Sequence, residues 1–202
     1  GSTNPYDYYA LEETKGKDNS ALALIVADKV QNIKIIGEGL IDGNGRELAL
    51  NIDSLHHIGE RVDPNYTTRL NRPNETMRPK LFFMSNSENI LVQGLQLKNS
   101  ACWGLSFDRC NNLTIKYIYF ENRAYWNNDG IDVTDGKHVR ISHCYINSAD
   151  DGICLKSYHV GEYCDDVEVS DCEIISSASA VKFGTASWGG FKNITVRNIK
   201  VK

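Results

Sequence analysis

The sequence predicts an all-β chain wound as a right-handed parallel β-helix, a solenoid of short stacked strands. Three observations carry that expectation. An apolar pattern at relative positions 0, 2, 5 and 7 occurs five times, starting at Ile90, Leu113, Val139, Val167 and Ile194, at intervals of 23, 26, 28 and 27 residues. Self-similarity at that period marks a stacked repeat, and alternation within each half marks strands with one buried face. A second register of inward pairs runs between the copies: Leu105 and Phe107, Ile131 and Val133, Ile153 and Leu155, Val181 and Phe183. Each pair follows a small residue, Gly104, Gly130, Gly152 or Ala180, and the linking positions are rich in the Asn, Asp and Gly that turns require.

In chain order, Ile33-Lys34-Ile35 with the turns Gly37-Glu38-Gly39 and Asp42-Gly43-Asn44-Gly45 reads as an early, looser rung. Residues from about 47 to 80, including His56-His57, Asp63-Pro64-Asn65-Tyr66 and Asn71-Arg72-Pro73-Asn74, break the pattern and read as a long loop between rungs. Loops of that length carry function or are disordered. The regular rungs follow: Ile90, Val92, Leu95, Leu97; Leu113, Ile115, Ile118, Phe120; Val139, Ile141, Cys144, Ile146; Val167, Val169, Cys172, Ile174; Ile194, Val196, Ile199, Val201. The odd step from position 2 to position 5 demands a corner, after which both arms point inward. With the second register, each repeat holds three short strands rich in β-branched residues. Leucine-rich repeats share the period, but their Leu-dominated signature is missing, and the turn residues exclude a coiled coil.

At 202 residues with 41% apolar content, the chain can bury a real core and is expected to fold as one domain over residues 1–202. No apolar run is long enough to span a membrane. The net charge of −4 and the lack of a basic stripe with interleaved aromatics argue against a nucleic-acid partner. Cys144 and Cys172 fall at the same inward position as Leu95 and Ile118 and read as small core hydrophobes. Cys102 with Cys110, or Cys154 with Cys164, remain possible disulfides. The cysteine and histidine spacings match no zinc site, and no metal or other cofactor is expected.

The chemistry concentrates in two strings, Asn127-Asn128-Asp129-Gly130 and Ala149-Asp150-Asp151-Gly152. Aligning the second register puts Asp129 one rung from Asp151 and matches Asp150 with Asn128. Stacked strands stand about 4.8 Å apart, so three carboxylates crowd one patch. Crowding raises at least one carboxyl pKa, which a general acid at neutral pH requires. Glycosidic hydrolysis needs one carboxylic acid to protonate the leaving oxygen and one carboxylate to activate water. Turn capping and a calcium site are the bland alternatives for such acids.

Those strings resemble motifs of glycoside hydrolase family 28, the polygalacturonases and their relatives in the pectin-lyase-like superfamily. Asn127-Asn128-Asp129-Gly130-Ile131-Asp132 is similar to the family's Asn-Thr-Asp-Gly motif, and Asp150-Asp151-Gly152-Ile153-Cys154-Leu155-Lys156-Ser157 to its paired-Asp motif. Supporting matches are Gly37 through Gly45, Arg78-Pro79, and Asn99-Ser100 followed by Trp103, so the likeness runs over roughly residues 30 to 200. The resemblance implies an inverting hydrolase of α-linked galacturonic acid or a related pectic sugar, secreted or periplasmic and working without metal. It implies Asp150 as general acid and Asp129 with Asp151 as the holders and activators of water, with Asn127 at the substrate.

Two departures matter. Ser179 stands where the family's Gly-His-Gly motif has its histidine, and the downstream Arg-Ile-Lys motif does not occur in these 202 residues. Lys156 and Lys182 project outward from the strands that carry the acids, and either can take over a substrate carboxylate. Their alternative is two solvated lysines on an exposed face. Trp126 and Trp188 flank the acids in sequence and are candidates for stacking on sugar, or simply cover the solenoid. The string from Ala180 to Thr185 with Gly189-Gly190-Phe191 looks more like bacterial, often exo-acting, relatives than fungal endo-enzymes.

A non-catalytic polysaccharide-binding β-helix and a polysaccharide lyase of the same superfamily are the competing readings. The first predicts no acids in register; the second needs a base and often calcium. The last rung, Ile194 to Val201, is followed by no polar cap, so the sequence is expected to belong to a longer catalytic domain whose further rungs carry the missing basic residues.

Overall fold

The computed structural model describes residues 2–5, 8–10 and 21–202. Among the described residues, eighteen strands form three parallel sheets of six. Sheet A runs β1 (Ala23–Asp28), β4 (Lys80–Ser85), β7 (Leu105–Asp108), β10 (Ile131–Thr134), β13 (Ile153–Ser157), β16 (Val181–Ser187). Sheet B holds β2 (Gln31–Ile36), β5 (Glu88–Gln93), β8 (Asn111–Lys116), β11 (Lys137–Ser142), β14 (Cys164–Ser170) and β17 (Phe191–Arg197). Sheet C holds β3 (Leu40–Asp42), β6 (Gln96–Lys98), β9 (Tyr119–Asn122), β12 (Tyr145–Ser148), β15 (Glu173–Ser176) and β18 (Lys200–Val201). Every third strand therefore pairs, which is a parallel β-solenoid.

Pairing follows the apolar pattern. Ile90, Leu113, Val139, Val167 and Ile194 stack in sheet B, and Leu105, Ile131, Ile153 and Val181 stack in sheet A. Together with Leu97, Phe120, Ile146 and Ile174 of sheet C they form one continuous core. The corner required between positions 2 and 5 is a column of left-handed residues: Gly94, Tyr117, His143, Asp171 and Asn198 all take positive φ. A second column lies near the start of the sheet B strands, Asn32, Asn89, Asn112, His138, Asp166 and Asn193. Short polar side chains tolerate that conformation best, and here they also bond along the stack, Asn112 Nδ2 to Asn89 Oδ1 at 2.7 Å and Asn89 Nδ2 to Asn32 Oδ1 at 3.2 Å.

The small residue behind Asp129 has a steric cause. A Cβ on Gly130 would meet the Gly152 carbonyl oxygen at 2.4 Å and Ile146 Cγ2 at 2.6 Å. Only glycine lets adjacent rungs close that tightly.

The excursion after β3 is not all loop. Helix α1 (Gly45–His57) buries Leu48, Ala49 and Ile52, and a 3-10 turn spans Glu75–Met77. Leu48, Ala49 and Ile52 pack with Tyr8, Leu22 and Ala101 in a second small core. Strand β4, Lys-Leu-Phe-Phe-Met-Ser, is buried at every position: Leu81, Phe82 and Met84 join the main core, and Phe83 packs with Ala21, Ala23 and Val26. All six cysteines are free. Cys110, Cys144, Cys164 and Cys172 lie in the main core, whereas Cys154 lies on the outer face of sheet A, 2.9 Å from Lys156 Nζ. Cys154 and Cys164 thus sit on opposite sides of the sheet and form no disulfide. Neither do Cys102 and Cys110, where Cys110 belongs to the main core and Cys102 does not.

Candidate active site

Register builds the site. Gly130 N–H donates to the Asp151 carbonyl at 2.9 Å and Gly152 N–H to the Ser179 carbonyl at 2.8 Å, so Asp129, Asp151 and Ser179 succeed one another along the stack. Asp150 N–H reaches the Asn128 carbonyl at 3.3 Å, fixing the neighbouring column. On the outer face of sheet A, Asp132 pairs in register with Cys154 and then Lys182, and Thr134 with Lys156. Part of this register opens on a cavity of about 300 Å³ lined by Asp129, Asp150, Asp151, Lys156, Lys182, Asn127, Trp103, Tyr158, Thr134, Thr185, Ala186 and Glu75.

Charge is dense and mostly dry. Asp129 and Asp151 are 4% and 2% exposed and Asp132 is fully buried, whereas Asp150 is half-buried at the cavity. Lys156 Nζ donates to Asp132 Oδ1, stands 4.0 Å from Asp129 Oδ2, and sits 4.5 Å from the centre of the Trp103 ring. Lys182 Nζ donates to Asp151 Oδ2 at 2.8 Å. Asp129 Oδ1, Asp151 Oδ1 and Asp132 Oδ2 are buried with no hydrogen-bond partner among the described residues. Unpaired buried carboxylate oxygens are costly unless another hydrogen-bond donor meets them.

Protonation follows from this. Burial pushes the Asp129 carboxyl well up, reinforced by the Asp132 charge and opposed by Lys156. Burial, then the charge of Asp151, raises Asp150, with Lys182 opposing. Asp132 is raised by burial against the pull of Lys156. Burial alone would lower the Lys156 ammonium, but Asp132, Cys154 and Asp129 outweigh it and hold it charged.

Second-layer contacts place the polar groups. Arg78, fully buried, donates to the Ala101 carbonyl at 2.8 Å, the Trp126 carbonyl at 2.6 Å and Asn127 Oδ1 at 2.6 Å. Asn122 Nδ2 donates to the Asp129 carbonyl at 2.7 Å, and Asn128 Nδ2 to the Ser100 and Cys102 carbonyls at 2.9 and 2.8 Å. Ser176 Oγ and Ser148 Oγ both donate to the Asp150 carbonyl, at 2.6 and 2.9 Å. The turn carrying Tyr158 is braced by Asp135 Oδ2, which accepts from the N–H groups of Tyr158 and His159, and by His159 Nε2 at 2.9 Å from Asp108 Oδ1. Asp108, Asp135 and His159 are, among the described residues, the group whose ligand atoms are spaced for a cation, all within 4.8 Å of one another. Their internal partners, with Arg109 Nε 3.6 Å from Asp108 Oδ1, give them a bracing role instead.

Six of the nine residues singled out from sequence converge: Asp129, Asp150, Asp151, Asn127, Lys156 and Lys182 line one cavity, whereas Trp126 lines a neighbouring one. Ser179 and Trp188 do not line it. Ser179 supplies a backbone carbonyl to the stack, and Trp188 is 77% exposed with its N–H on the Ser157 carbonyl at 2.8 Å. Both lysines face the acids, but neither is solvated on an open face; each holds a carboxylate. Sequence reasoning passed over Asp132, Tyr158 and Glu75. Asp132 sits inside the quoted motif, and its outward position behind Asp129 was the available signal.

The sequence matches the family model described as "Glycosyl hydrolases family 28" over residues 8–202. The chain belongs to that family. A probable exopolygalacturonase B of Aspergillus terreus is 28% identical over 127 residues, covering 60% of this chain and 26% of the relative. Exopolygalacturonase B of Aspergillus niger is 30% identical over the same length and coverage. The chain thus spans about a quarter of the length of these curated relatives. Among solved structures, a hyperthermoactive exopolygalacturonase from Thermotoga maritima superposes with a TM-score of 0.72 at 22% identity, over 98% of this chain and 51% of that one. A polygalacturonase from Erwinia carotovora ssp. carotovora gives 0.63 at 19% identity, over 99% and 64%. At those identities the likeness is one of fold, and it places this family 28 chain on the same parallel β-solenoid. No described helix is long and apolar enough to cross a membrane.

Proposed function

We propose that this family 28 chain carries the acid–base centre of an inverting glycoside hydrolase acting on galacturonan. The observation that carries the reading is one cavity in which Asp150, half-buried and raised toward the protonated form, stands beside Asp129, raised as well, and Asp151, these two stacked on adjacent rungs and each with a free oxygen. Asp150 delivers its proton to the glycosidic oxygen as that bond breaks. Water held between Asp129 and Asp151 attacks the anomeric carbon from the opposite face. Lys182 occupies Asp151 Oδ2, so Asp151 Oδ1 is the acceptor for the water's proton. Lys156 and Lys182 keep this anionic cluster assembled, and Asn127, pinned by Arg78, fixes the wall beside Asp150. Lys156 and Lys182 also line the cavity that takes the sugar, in a protein working outside the cytoplasm.

The names of the curated relatives and of the Thermotoga structure support an exo mode. Polygalacturonic acid incubated with the protein tests all of this: reducing ends should appear with monogalacturonate as the first product, and chelator should leave the rate unchanged. An ultraviolet-absorbing unsaturated product would replace hydrolysis with a lyase reaction. Binding without any product would leave a polysaccharide-binding solenoid.

A further inference from the structure

Asp150 is a shared wall. Behind it lies a second cavity of about 530 Å³, which has Asn127 and Asp150 in common with the first. The two differ in charge. The first is lined by four carboxylates and by two lysines already committed to Asp132 and Asp151. The second is lined by Arg46, Arg123, Trp126 and Ser177, with Asp150 as the one acid.

The two arginines are differently free. Arg46, exposed on the first turn of α1, makes no side-chain hydrogen bond or ion pair among the described residues. Arg123 is held only by neutral acceptors, Asn147 Oδ1 at 2.9 Å, the Ser148 carbonyl and Ser177 Oγ, and meets no carboxylate among the described residues. Such contacts aim the guanidinium without neutralising it. Trp126, 54% exposed, stands beside them with the Arg72 guanidinium 4.8 Å from its ring centre.

We propose that the Arg46–Arg123 cavity is the subsite for the leaving-group sugar and that its arginines receive that sugar's carboxylate. The assignment of sides rests on the hydrolase reading above. Water activated by Asp129 and Asp151 attacks the sugar in the first cavity, Asp150 protonates the oxygen between the two, and the departing unit lies in the second. A planar guanidinium fork matches a carboxylate with paired hydrogen bonds, which a lysine does not offer. The helical excursion that sequence alone reads as loop therefore supplies a recognition residue.

The test uses Arg46→Gln, Arg123→Gln and the double variant with trigalacturonate and its methyl ester. Partly exposed charge pairs are worth up to ~1 kcal/mol, or about 5-fold in affinity each. KM for the free acid should rise about 5-fold for either variant, with kcat little changed and the ester nearly insensitive. Equal losses on acid and ester, or an unchanged KM on the acid for Arg46→Gln, would overturn the proposal; should Arg123→Gln fold poorly, the Arg46→Gln result stands alone. Calorimetric binding of trigalacturonate separates the two readings. Arginine-dependent binding without turnover would sink hydrolysis and keep the subsite; turnover with arginine-independent binding would do the reverse; no binding at all would remove both.

Discussion

Replacing Lys156 by methionine isolates the electrostatics beneath the catalytic cavity. Its ammonium, 13% exposed, contacts the fully buried Asp132 and stands 4.0 Å from Asp129 Oδ2. Methionine keeps the stem and removes the charge. Breaking a buried pair by deleting one partner costs about 3–5 kcal/mol, because the other charge is stranded. For a chain of this size each kcal/mol moves the melting temperature by about 2–4 °C, so the loss at neutral pH should be about 6–20 °C. The pH dependence has a definite sign. Burial already raises the Asp132 carboxyl, and without Lys156 nothing nearby opposes that as strongly, so its folded pKa climbs further above the unfolded value near 3.9. A raised acid binds its proton more tightly when folded, so stability falls as pH rises from the ordinary carboxylate range through the raised folded value. The variant's deficit should therefore be small near pH 4 and grow toward neutrality. Adding Asp132→Asn should recover most of it. Thermal melts by circular dichroism across that range read the effect. A loss under about 2 °C at neutral pH, or a large loss that neither varies with pH nor responds to Asp132→Asn, would refute the reasoning.

Further outcomes follow from the same geometry. Asp150→Asn should cut kcat by about two to four orders of magnitude with the fold intact, and a near wild-type rate on galacturonan would remove Asp150 from the acid role. Because Asp150 is raised, kcat/KM should hold to higher pH than an ordinary carboxylic acid allows and fall as pH passes the raised value; a fall already complete in the ordinary carboxylate range would contradict this. Asp129→Asn should abolish activity yet raise the melting temperature at neutral pH, since it removes a buried acid that folding forces toward protonation; unchanged or lowered stability would argue against that strain. Gly130→Ala should cost about 1–3 kcal/mol, read by urea denaturation, because its Cβ would meet the Gly152 carbonyl oxygen at 2.4 Å, and a neutral result would mean the rungs can part there.

The solenoid was legible because its core-facing positions repeat and its outer face on sheets B and C is solvated, as the inward positions of β8, Leu113 and Ile115, show against exposed or half-buried neighbours. Where both faces are buried that contrast vanishes. Strand β4 is buried throughout, so no alternation marked it, and α1 was hidden because its apolar stripe, Leu48, Ala49 and Ile52, is only a short run inside a polar stretch. Asp129, Asp150 and Asp151 could be read because register along the stack is itself periodic. Glu75, Arg46 and Arg123 could not, since each reaches the site from a turn or helix whose direction no repeat specifies. The lysines illustrate a subtler gap: their outward direction was readable from alternation, but each pairs with an acid outside its own column, Lys156 in register with Thr134 bonding Asp132, and Lys182 in the column of Asp132 and Cys154 bonding Asp151.

The central claim is that Asp129 and Asp151 hold water for direct attack while Asp150 protonates the leaving oxygen. Proton NMR of the first sugar released from an α-linked galacturonate oligomer, recorded before the anomers equilibrate, tests it most directly. Inversion releases the β-anomer first. An α-anomer as first product would mean a covalent intermediate and would contradict the assignment of these three carboxylates.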